Sequence, residues 1–354
     1  AAIHTIMFAL VSCFLLFFVS MTNADRTGAY RNSPFAAEDN SDWMSELPDD
    51  AVLGSLSLPG THDSGAYNFG GPAVETQSMN IGEQLKAGIR ALDIRLGRSN
   101  LNLGTECNGP DLWTFHGITC QFEKFSDILT TVEAFLNDHP DETIVMRVKR
   151  ENGNIPNFAS VVEAEMDAFV DLFFNGGSNN PTLNQVRGFV VLLRDYDGST
   201  RGISWQTLDI QDQYRISSNW ALANKWNAVR NHFIDTDNIS VDLSVNFLSA
   251  SGGSFPYFVA SGKSSWETYA PALLTGWTDA SFWPFNTCDQ NNACIVEYYR
   301  TNCSWKVCSV AFKGTNLMAR EFIESTVRLK TGIVMSDFPG PSLISAIIDT
   351  NTFI

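Results

Sequence analysis

Residues 126–149 read SDILTTVEAFLNDHPDETIVMRVK, and this stretch indicates how the chain is built. Its first half, Ser126–Asn137, repeats apolar residues at helical spacing, with Ser126 available as an N-terminal cap. The sequence HPD then ends the helical pattern, and Thr143–Lys149 is a short, mainly apolar run that is typical of a strand. The stretch therefore predicts a helix followed by a strand, as in α/β proteins.

The same alternation continues on both sides of this stretch. Further strands are predicted at Ser55–Pro59, Ile89–Leu96, Leu112–His116, Phe189–Leu193, Val241–Leu248 and Gly332–Ser336, and further helices at Phe158–Phe174 and Pro341–Ile348. Strands that alternate with helices predict a parallel sheet covered by helices. The length of 354 residues and the number of strands favour a single barrel over an open sheet. The sequence contains no G-x-G-x-x-G or Walker loop, so the usual nucleotide-binding folds lack their signature.

The charge of the chain excludes some classes of partner. Lys and Arg total 23 against 39 Asp and Glu, which gives a net charge of -16. Sequence-independent nucleic-acid binding needs a basic surface, so we expect no nucleic-acid partner. The same charge argues against adhesion to anionic lipid by electrostatics alone. With 44% hydrophobic and 18% charged residues, the composition is globular.

The N-terminal segment predicts export. Met7–Met21 is apolar apart from two serines, but it is shorter than the ~20 residues that span a bilayer. The following Thr22-Asn23-Ala24 resembles a signal-peptidase site, so we expect residues 1–24 to be a signal peptide and the protein to be secreted. A retained anchor is the alternative. Residues 25–45 are polar and predict an irregular N-terminal arm ahead of the barrel at 46–354.

The cysteines support an oxidising compartment. Six lie beyond the predicted signal peptide: Cys107, Cys120, Cys288, Cys294, Cys303 and Cys308. An even number in an exported chain predicts disulfides. The first two are isolated and are expected to pair with each other, while the last four are expected to pair among themselves. A zinc site is the alternative, but the CxxC spacing that favours zinc is absent. Residues 261–315 therefore predict a disulfide-stapled insertion in the barrel, not a second domain.

Two histidines follow predicted strands. His62 lies in the sequence LPGTHDSG and His116 in WTFHG, each at a strand end with turn residues after it. Active sites of β/α barrels lie at the carboxyl ends of the strands, and two imidazoles there can act as base and acid near neutral pH. A structural role for each histidine is the alternative. The other two histidines of the barrel, His139 and His232, are expected at the surface.

Charged residues follow the same strand ends. In Ile89–Leu96, alternation places Asp93 and Arg95 on the face opposite the apolar residues. Lys149 is placed similarly, and Arg147 also turns inward, where it requires a buried carboxylate unless the strand is irregular. Two histidines, an arginine and a lysine around one opening suit an anionic phosphodiester. The alternative for Arg95 and Lys149 is a structural ion pair with Asp93.

The order of these motifs resembles the bacterial-type phosphatidylinositol-specific phospholipases C, which carry the X-domain of the phospholipase C-like phosphodiesterases. LPGTHDSG is followed by ALDIR, FHG, NDHPDETIVMRVKRE, FVVLLRDYDG, IQDQYRIS, NFLSASGGSFPYFVA and GIVMSDFPG. The resemblance covers roughly residues 45–350 apart from the insertion. The combination of GTHDSG, DIR and HG is specific, although each motif alone is weak. It implies a distorted TIM-type (β/α) barrel.

The resemblance also implies catalytic roles. His62 resembles the general base, oriented by Asp337. His116 resembles the general acid, and Asp63 resembles the carboxylate that assists this acid at the leaving oxygen. Arg95 resembles the arginine that clamps the phosphate, with the Asp of the DIR motif, Asp93, beside it.

The implied substrate-binding residues are Lys149, Asp212 and Tyr214, which resemble a donor, an acceptor and a stacking ring for inositol. Where the family has Lys-Arg, this chain has Arg194-Asp195, so the arginine that contacts inositol falls on Asp195. Arg194 is the candidate substrate contact if the strand shifts by one residue.

The implied enzyme is a secreted lyase without cofactor or metal ion. It cleaves phosphatidylinositol or a glycosylphosphatidylinositol anchor to diacylglycerol and inositol 1,2-cyclic phosphate. The family places an aromatic loop at the membrane-facing rim, which predicts that Phe255 and Tyr257 touch the membrane transiently; a monomer is expected. Two alternatives remain, a metal-dependent glycerophosphodiesterase or sphingomyelinase D-type enzyme and a non-catalytic lipid- or glycan-binding relative.

Overall fold

The structure is a computed structural model that describes residues 28–99, 107–238, 243–275, 298–304 and 307–353. The strands are β1 Leu58–Thr61, β2 Ala91–Gly97, β3 Trp113–His116, β4 Thr119–Lys124, β5 Ile144–Asn152, β6 Val190–Asp195, β7 Ile203–Ser204, β8 Asp209–Gln211, β9 Arg215–Ile216, β10 Ser244–Phe247, β11 Ser251–Gly252, β12 Leu274–Thr275, β13 Tyr298–Ser304, β14 Val307–Phe312 and β15 Ile333–Ser336. The α-helices are α1 Ile81–Ala87, α2 Phe125–Asp138, α3 Phe158–Met166, α4 Leu183–Val186, α5 Leu222–Asn238, α6 Pro256–Ser261, α7 Thr315–Ser325 and α8 Pro341–Asp349. The 3₁₀ helices are Trp43–Glu46, Leu53–Ser55, Gly71–Ala73, Asp167–Leu172, Trp205–Thr207, Asn219–Ala221 and Thr350–Phe353.

Eight parallel strands form the curled sheet of a distorted barrel. Their order is β7-β6-β5-β2-β1-β15-β10-β8, and every neighbouring pair is parallel. In the part of the chain that the structure describes, β7 and β8 do not pair with each other, so the barrel is open between them. The antiparallel hairpin β3–β4 extends from β2. The predicted α/β barrel is confirmed, and its incomplete closure accounts for the distortion.

The alternation of side chains in the strands separates two environments. Leu92 and Ile94 of β2 pack outward against α1, α2 and α3, and Val334 of β15 packs against α5, α7 and α8. The inward faces contribute Leu58, Ala91, Val145, Val191, Val245, Phe247, Ile333 and Met335 to the barrel core. This core fills the base of the barrel, so the inward residues nearest the carboxyl ends of the strands are left for polar groups.

Gly60 shows how closely the central strands approach each other. A Cβ atom at this position would lie 2.9 Å from both the Ala91 Cβ and the Met335 Sδ, so only glycine fits without displacement. This close approach fixes β1 between β2 and β15, two residues before His62.

Several predicted elements have different bounds from those observed. The predicted single helix Phe158–Phe174 is wrong, since α3 ends at Met166 and a 3₁₀ helix with a non-helical Phe169 follows. Ser55 belongs to a 3₁₀ helix and not to the first strand, which begins at Leu58. None of the helices among the described residues is long and apolar enough to cross a bilayer.

The predicted insertion contains an antiparallel sheet in the order β12-β14-β13. Cys303 lies in β13 and Cys308 in β14, whereas Cys288, Cys294 and residues 1–24 lie outside the described residues. The pairing of the four cysteines and the signal peptide therefore stay predictions. The N-terminal arm is described from residue 28 onwards; it is mainly irregular, with buried Tyr30 bridging to Pro339 after β15.

Candidate active site

A cavity of about 450 Å³ opens at the carboxyl ends of the barrel strands. It is lined by His62, Arg95, His116, Gly117, Lys149, Glu151, Asp212, Tyr214, Ser249, Ala250, Ser251, Pro256 and Asp337. Seven of the residues predicted from the sequence thus meet in one cavity. Asp63, Asp93, Arg194, Phe255 and Tyr257 were also predicted for the site but do not line it.

His62 is held between two strands. Its backbone N–H donates to the Ser336 carbonyl, and its side-chain Nδ1 lies 2.7 Å from Oδ1 of the buried Asp337. The ring also contacts the edge of Phe247. A neutral imidazole that donates from Nδ1 carries its lone pair on Nε2. The contact with Asp337 therefore orients the His62 ring, and the role of Nε2 as a base stays a prediction.

His116 lies across the cavity at the end of β3. Its ring centroid is 6.3 Å from that of His62, and the two rings are nearly perpendicular. Its Nδ1 bonds to the Val74 carbonyl oxygen, which can only accept, so this nitrogen carries a proton and Nε2 is the other titrating position. Burial and the neighbouring His62 lower the pKa of His116. A lowered pKa makes the protonated imidazole a stronger acid.

The predicted role of Asp63, assistance of the acid at the leaving oxygen, stays a prediction. Asp63 is fully buried with a positive φ of 43°, and neither of its carboxylate oxygens has a hydrogen-bond partner among the described residues. Burial raises the pKa of Asp63 well above its usual range, although Arg95 opposes the effect. The His116 ring itself is held by the Val74 carbonyl and not by Asp63.

Arg95 and Asp93 form the buried side of the site. Asp93 Oδ2 lies 3.0 Å from Arg95 Nε and 2.9 Å from its Nη2, while Oδ1 accepts from Arg147 Nη1 at 3.1 Å. Burial alone would raise the pKa of Asp93, but the two guanidinium groups hold it below its usual range. Asp93 is therefore an ionised positioning residue for Arg95, and Arg95 presents its remaining donors to the cavity.

Arg147 pairs with two carboxylates, the buried Asp93 and the half-buried Asp195, as its inward position requires. Besides Asp93, it contacts Asp195 Oδ2 at 2.6 Å, and its guanidinium stacks 4.1 Å from the ring centroid of Trp205. Asp195 thus bonds to Arg147 in the position where the family carries an arginine. Arg194 points elsewhere and donates to the backbone carbonyls of Arg201 and Tyr196. The prediction of Arg194 as a substrate contact is wrong, because β6 keeps its register with β5 and no one-residue shift occurs.

Glu151 is a site residue that the sequence reasoning missed. Its carboxylate accepts from Lys149 Nζ at 3.1 Å and from the Gly117 N–H at 3.2 Å, and lies 3.9 Å from Arg95 Nη1. Burial opposes its ionisation, but Arg95 and Lys149 lower the pKa of Glu151. The alternation that places Arg147 and Lys149 inward also places Glu151 inward. Strand periodicity could therefore have predicted Glu151 as a site residue. Lys149 pairs with this carboxylate, not with Asp93.

The opposite wall follows β8. Asp212 and Tyr214 both line the cavity, and the Tyr214 ring is 55% exposed. The Ser251 N–H donates to the Tyr214 carbonyl, which joins this turn to the segment before α6. The wall therefore places a carboxylate beside an exposed aromatic ring, and the predicted role of both in binding inositol stays a prediction.

The hairpin that carries His116 is cross-linked. A disulfide joins Cys107 to Cys120, so the predicted pairing is confirmed. The tip of the hairpin exposes 89% of Ile118, and the exposed rings of Phe69 and Phe122 meet edge to face beside it.

The membrane contact predicted for Phe255 and Tyr257 stays a prediction, but the two side chains differ in exposure. Phe255 is 49% exposed and stacks on Tyr257, but Tyr257 is half-buried and packs against the core. His232, predicted at the surface, is buried on α5 with Nε2 3.4 Å from Asp209, at the opposite end of β8 from the cavity.

Comparison with known proteins identifies related enzymes. No protein-family model matches the chain. A 1-phosphatidylinositol phosphodiesterase of Listeria monocytogenes is 32% identical over 200 residues, which cover 52% of this chain and 59% of that protein. A 1-phosphatidylinositol phosphodiesterase of Staphylococcus aureus is 27% identical over 282 residues, which cover 68% of this chain and 82% of that protein. The match therefore spans less than two thirds of the Listeria protein, but most of the Staphylococcus protein.

The fold extends the similarity beyond the aligned sequences. The solved structure of the phosphatidylinositol-specific phospholipase C from Listeria monocytogenes matches with a TM-score of 0.60 at 25% sequence identity, covering 88% of this chain and 98% of that chain. In both sequence and fold, this chain is similar to the bacterial phosphatidylinositol-specific phospholipases C.

Proposed function

We propose that this protein cleaves the phosphodiester of phosphatidylinositol lipids by acid–base catalysis between two histidines. The observation that carries the proposal is the pair His62 and His116, which face one cavity with the Arg95 guanidinium beside them. The related Listeria and Staphylococcus enzymes are named for the same bond cleavage. A fixed base, a fixed acid and a cationic clamp are the groups that an internal displacement at phosphorus requires.

Each proton in this reaction has a place to go. Nε2 of His62 takes the proton of the inositol 2-hydroxyl, and the oxygen attacks the adjacent phosphorus. The bond from phosphorus to the diacylglycerol oxygen breaks as Nε2 of His116 gives its proton to that oxygen. The products are diacylglycerol and inositol 1,2-cyclic phosphate. Because the nucleophile belongs to the same molecule as the phosphorus, the step benefits from a high effective concentration.

Arg95 supports the proposal that no metal ion is needed. A guanidinium is a fixed positive charge with several donors, so it can neutralise the charge that develops on the non-bridging phosphoryl oxygens. Both oxygens of Asp93 already accept from Arg95 and Arg147, so this carboxylate is committed to guanidinium groups and not free to bind a cation.

Headgroup binding is assigned to the residues on either side of the clamp. Lys149 and Glu151 supply a donor and an acceptor from β5, and Asp212 supplies an acceptor from the turn after β8, beside the Tyr214 ring. These groups match the hydroxyls and the apolar face of inositol. They suit free phosphatidylinositol and a glycosylated anchor equally, so both belong to the proposed substrate class.

Exposed apolar side chains on both sides of the cavity support contact with a bilayer. Phe255 lies beyond one wall, and Phe69, Ile118 and Phe122 lie on and beside the His116 hairpin. Apolar insertion allows an acidic protein to dock on lipid. Secretion is part of the same proposal, since the apolar run Met7–Met21 and a disulfide are typical of exported proteins.

Phosphorus NMR of phosphatidylinositol vesicles tests the proposal directly. The purified protein in excess EDTA should convert the lipid resonance into that of inositol 1,2-cyclic phosphate. A missing cyclic product would contradict the His62–His116 mechanism. Activity that vanishes in EDTA and returns with calcium would contradict only the role given to Arg95.

A further inference from the structure

Lys225 is a buried cation close to the site that the mechanism does not use. It lies in the first turn of α5 and has no exposed surface. Lysine is rarely buried completely unless it is paired. Among the described residues, no carboxylate oxygen lies within 4.0 Å of its ammonium, and its hydrogen-bond acceptor is Gln211 Oε1 at 3.4 Å. A side chain with three donors is therefore directed at one amide oxygen.

Gln211 connects this lysine to the headgroup wall. Its Oε1 also accepts from the Gln213 N–H at 2.7 Å, and its Nε2 donates to Asn246 Oδ1 at 2.8 Å and to the Phe247 carbonyl at 2.9 Å. Asn246 in turn donates to the Val229 carbonyl, one helical turn beyond Lys225. The bonds form a closed circuit through α5, β8 and β10. Asp212 and Tyr214 lie in the turn that begins at this circuit.

Two carboxylates of the site attract the ammonium of Lys225 electrostatically. They are Asp212, on the turn after β8, and Asp337, on the turn after β15 that orients His62. Asn246 from β10 is neutral. Burial lowers the pKa of Lys225 to about 7, and the two carboxylates oppose that effect. The lysine therefore gains its charge within the pH range in which a histidine pair works.

We propose that Lys225 is a positioning residue, whose buried side chain fixes through Gln211 the turn that presents Asp212 and Tyr214 to the headgroup. The proposal rests on the proposed function and specifies how the headgroup wall is held. The charged side chain donates more strongly to Gln211 and attracts the carboxylate of Asp212. Headgroup affinity consequently weakens as pH rises through neutrality and Lys225 loses its proton, whereas the chemistry at His62 and His116 follows its own pH dependence.

The test uses Lys225→Met, which keeps the length of the side chain and removes its donor. With a soluble inositol phosphodiester at pH 6, KM should rise about fivefold, the effect of one lost hydrogen bond, while kcat stays within about twofold. Between pH 6 and 8, KM of the wild type should rise and KM of the variant should stay level. Lys86→Met, at an exposed lysine of α1, is the matched control and should change neither constant.

A double-mutant cycle separates positioning from a merely structural role. Gln211→Leu should raise KM by a similar factor, and the double variant should be no worse than either single variant. An unchanged KM in Lys225→Met at pH 6 would overturn the proposal. A fall in kcat together with a fall in melting temperature would also overturn it, since the two changes indicate only a packing role. A wild-type protein that does not cleave the substrate would instead refute the proposed function.

Discussion

Asp337→Asn removes the negative charge that contacts His62 and keeps the shape of the side chain. The carboxylate lies 2.7 Å from His62 Nδ1 and is 1% exposed, so its hydrogen bond becomes an ion pair when His62 takes the substrate proton. Hydrogen bonds to charged groups contribute about 1.5–3 kcal/mol, and each 1.36 kcal/mol corresponds to tenfold in rate. We therefore expect kcat to fall by about 10- to 100-fold. KM should change little, because Asp337 acts through His62.

The assay is steady-state cleavage of a soluble inositol phosphodiester, with circular dichroism to confirm folding. Glu142→Gln is the control, since Glu142 is equally buried but pairs with Arg90 at the other end of the barrel. That variant should lose stability and keep kcat. A folded Asp337→Asn variant with kcat within threefold of the wild type would refute the role of the carboxylate. Loss of kcat in both variants would indicate that any buried carboxylate change disturbs the barrel.

Four further predictions follow from the same geometry. His116→Ala should lower the rate by at least about 10² with the fold intact, and a folded variant at near wild-type rate would refute the assignment. Because burial lowers the pKa of His116, wild-type activity should decline as pH rises and the acid loses its proton. Cys107→Ala/Cys120→Ala should lower the free energy of unfolding by roughly 3 kcal/mol in urea titrations, and a change below about 1 kcal/mol would exclude a stabilising role. Phe255→Ser should weaken sedimentation with vesicles but should not slow hydrolysis of a soluble substrate. The control Val327→Ser, at an 84% exposed residue before β15, should change neither. An equal loss of vesicle binding and of soluble-substrate hydrolysis in Phe255→Ser would indicate misfolding. Arg147→Met should destabilise the protein by about 3 kcal/mol, because it leaves Asp195 and the Oδ1 atom of Asp93 without their guanidinium partner. Arg147→Met/Asp195→Asn should recover part of that loss in thermal unfolding.

The sequence alone predicted the parts of the site that depend on strand periodicity. In β2, the alternation correctly separates Asp93 and Arg95 from Leu92 and Ile94, because side chains of a strand point to opposite faces. The same rule, carried one step further along β5, would have found Glu151.

Features that depend on long-range contacts could not be predicted in this way. The partner of His116 is a backbone carbonyl, Val74, which leaves no signature in the residue types. His232 was expected at the surface because its helix is polar, but α5 packs against β10 and buries it. Lys225 was missed for the same reason, since a lysine in a polar helix predicts a solvated side chain.

Asp195 lies where the resemblance to the bacterial phospholipases C implies an arginine, and the surrounding residues accommodate this reversal of charge. An acidic residue beside Asp93 would repel it and weaken the hold on Arg95. Arg147, on the neighbouring strand, prevents this by bonding to both carboxylates and stacking on Trp205. The pair Arg147–Asp195 adds no net charge, so Arg95 keeps its orientation and its attraction for phosphate. Under the proposed function, Asp195 cannot supply the arginine contact to the headgroup that the resemblance implies, whereas the clamp is preserved. We therefore expect recognition to depend more heavily on the wall formed by Asp212 and Tyr214.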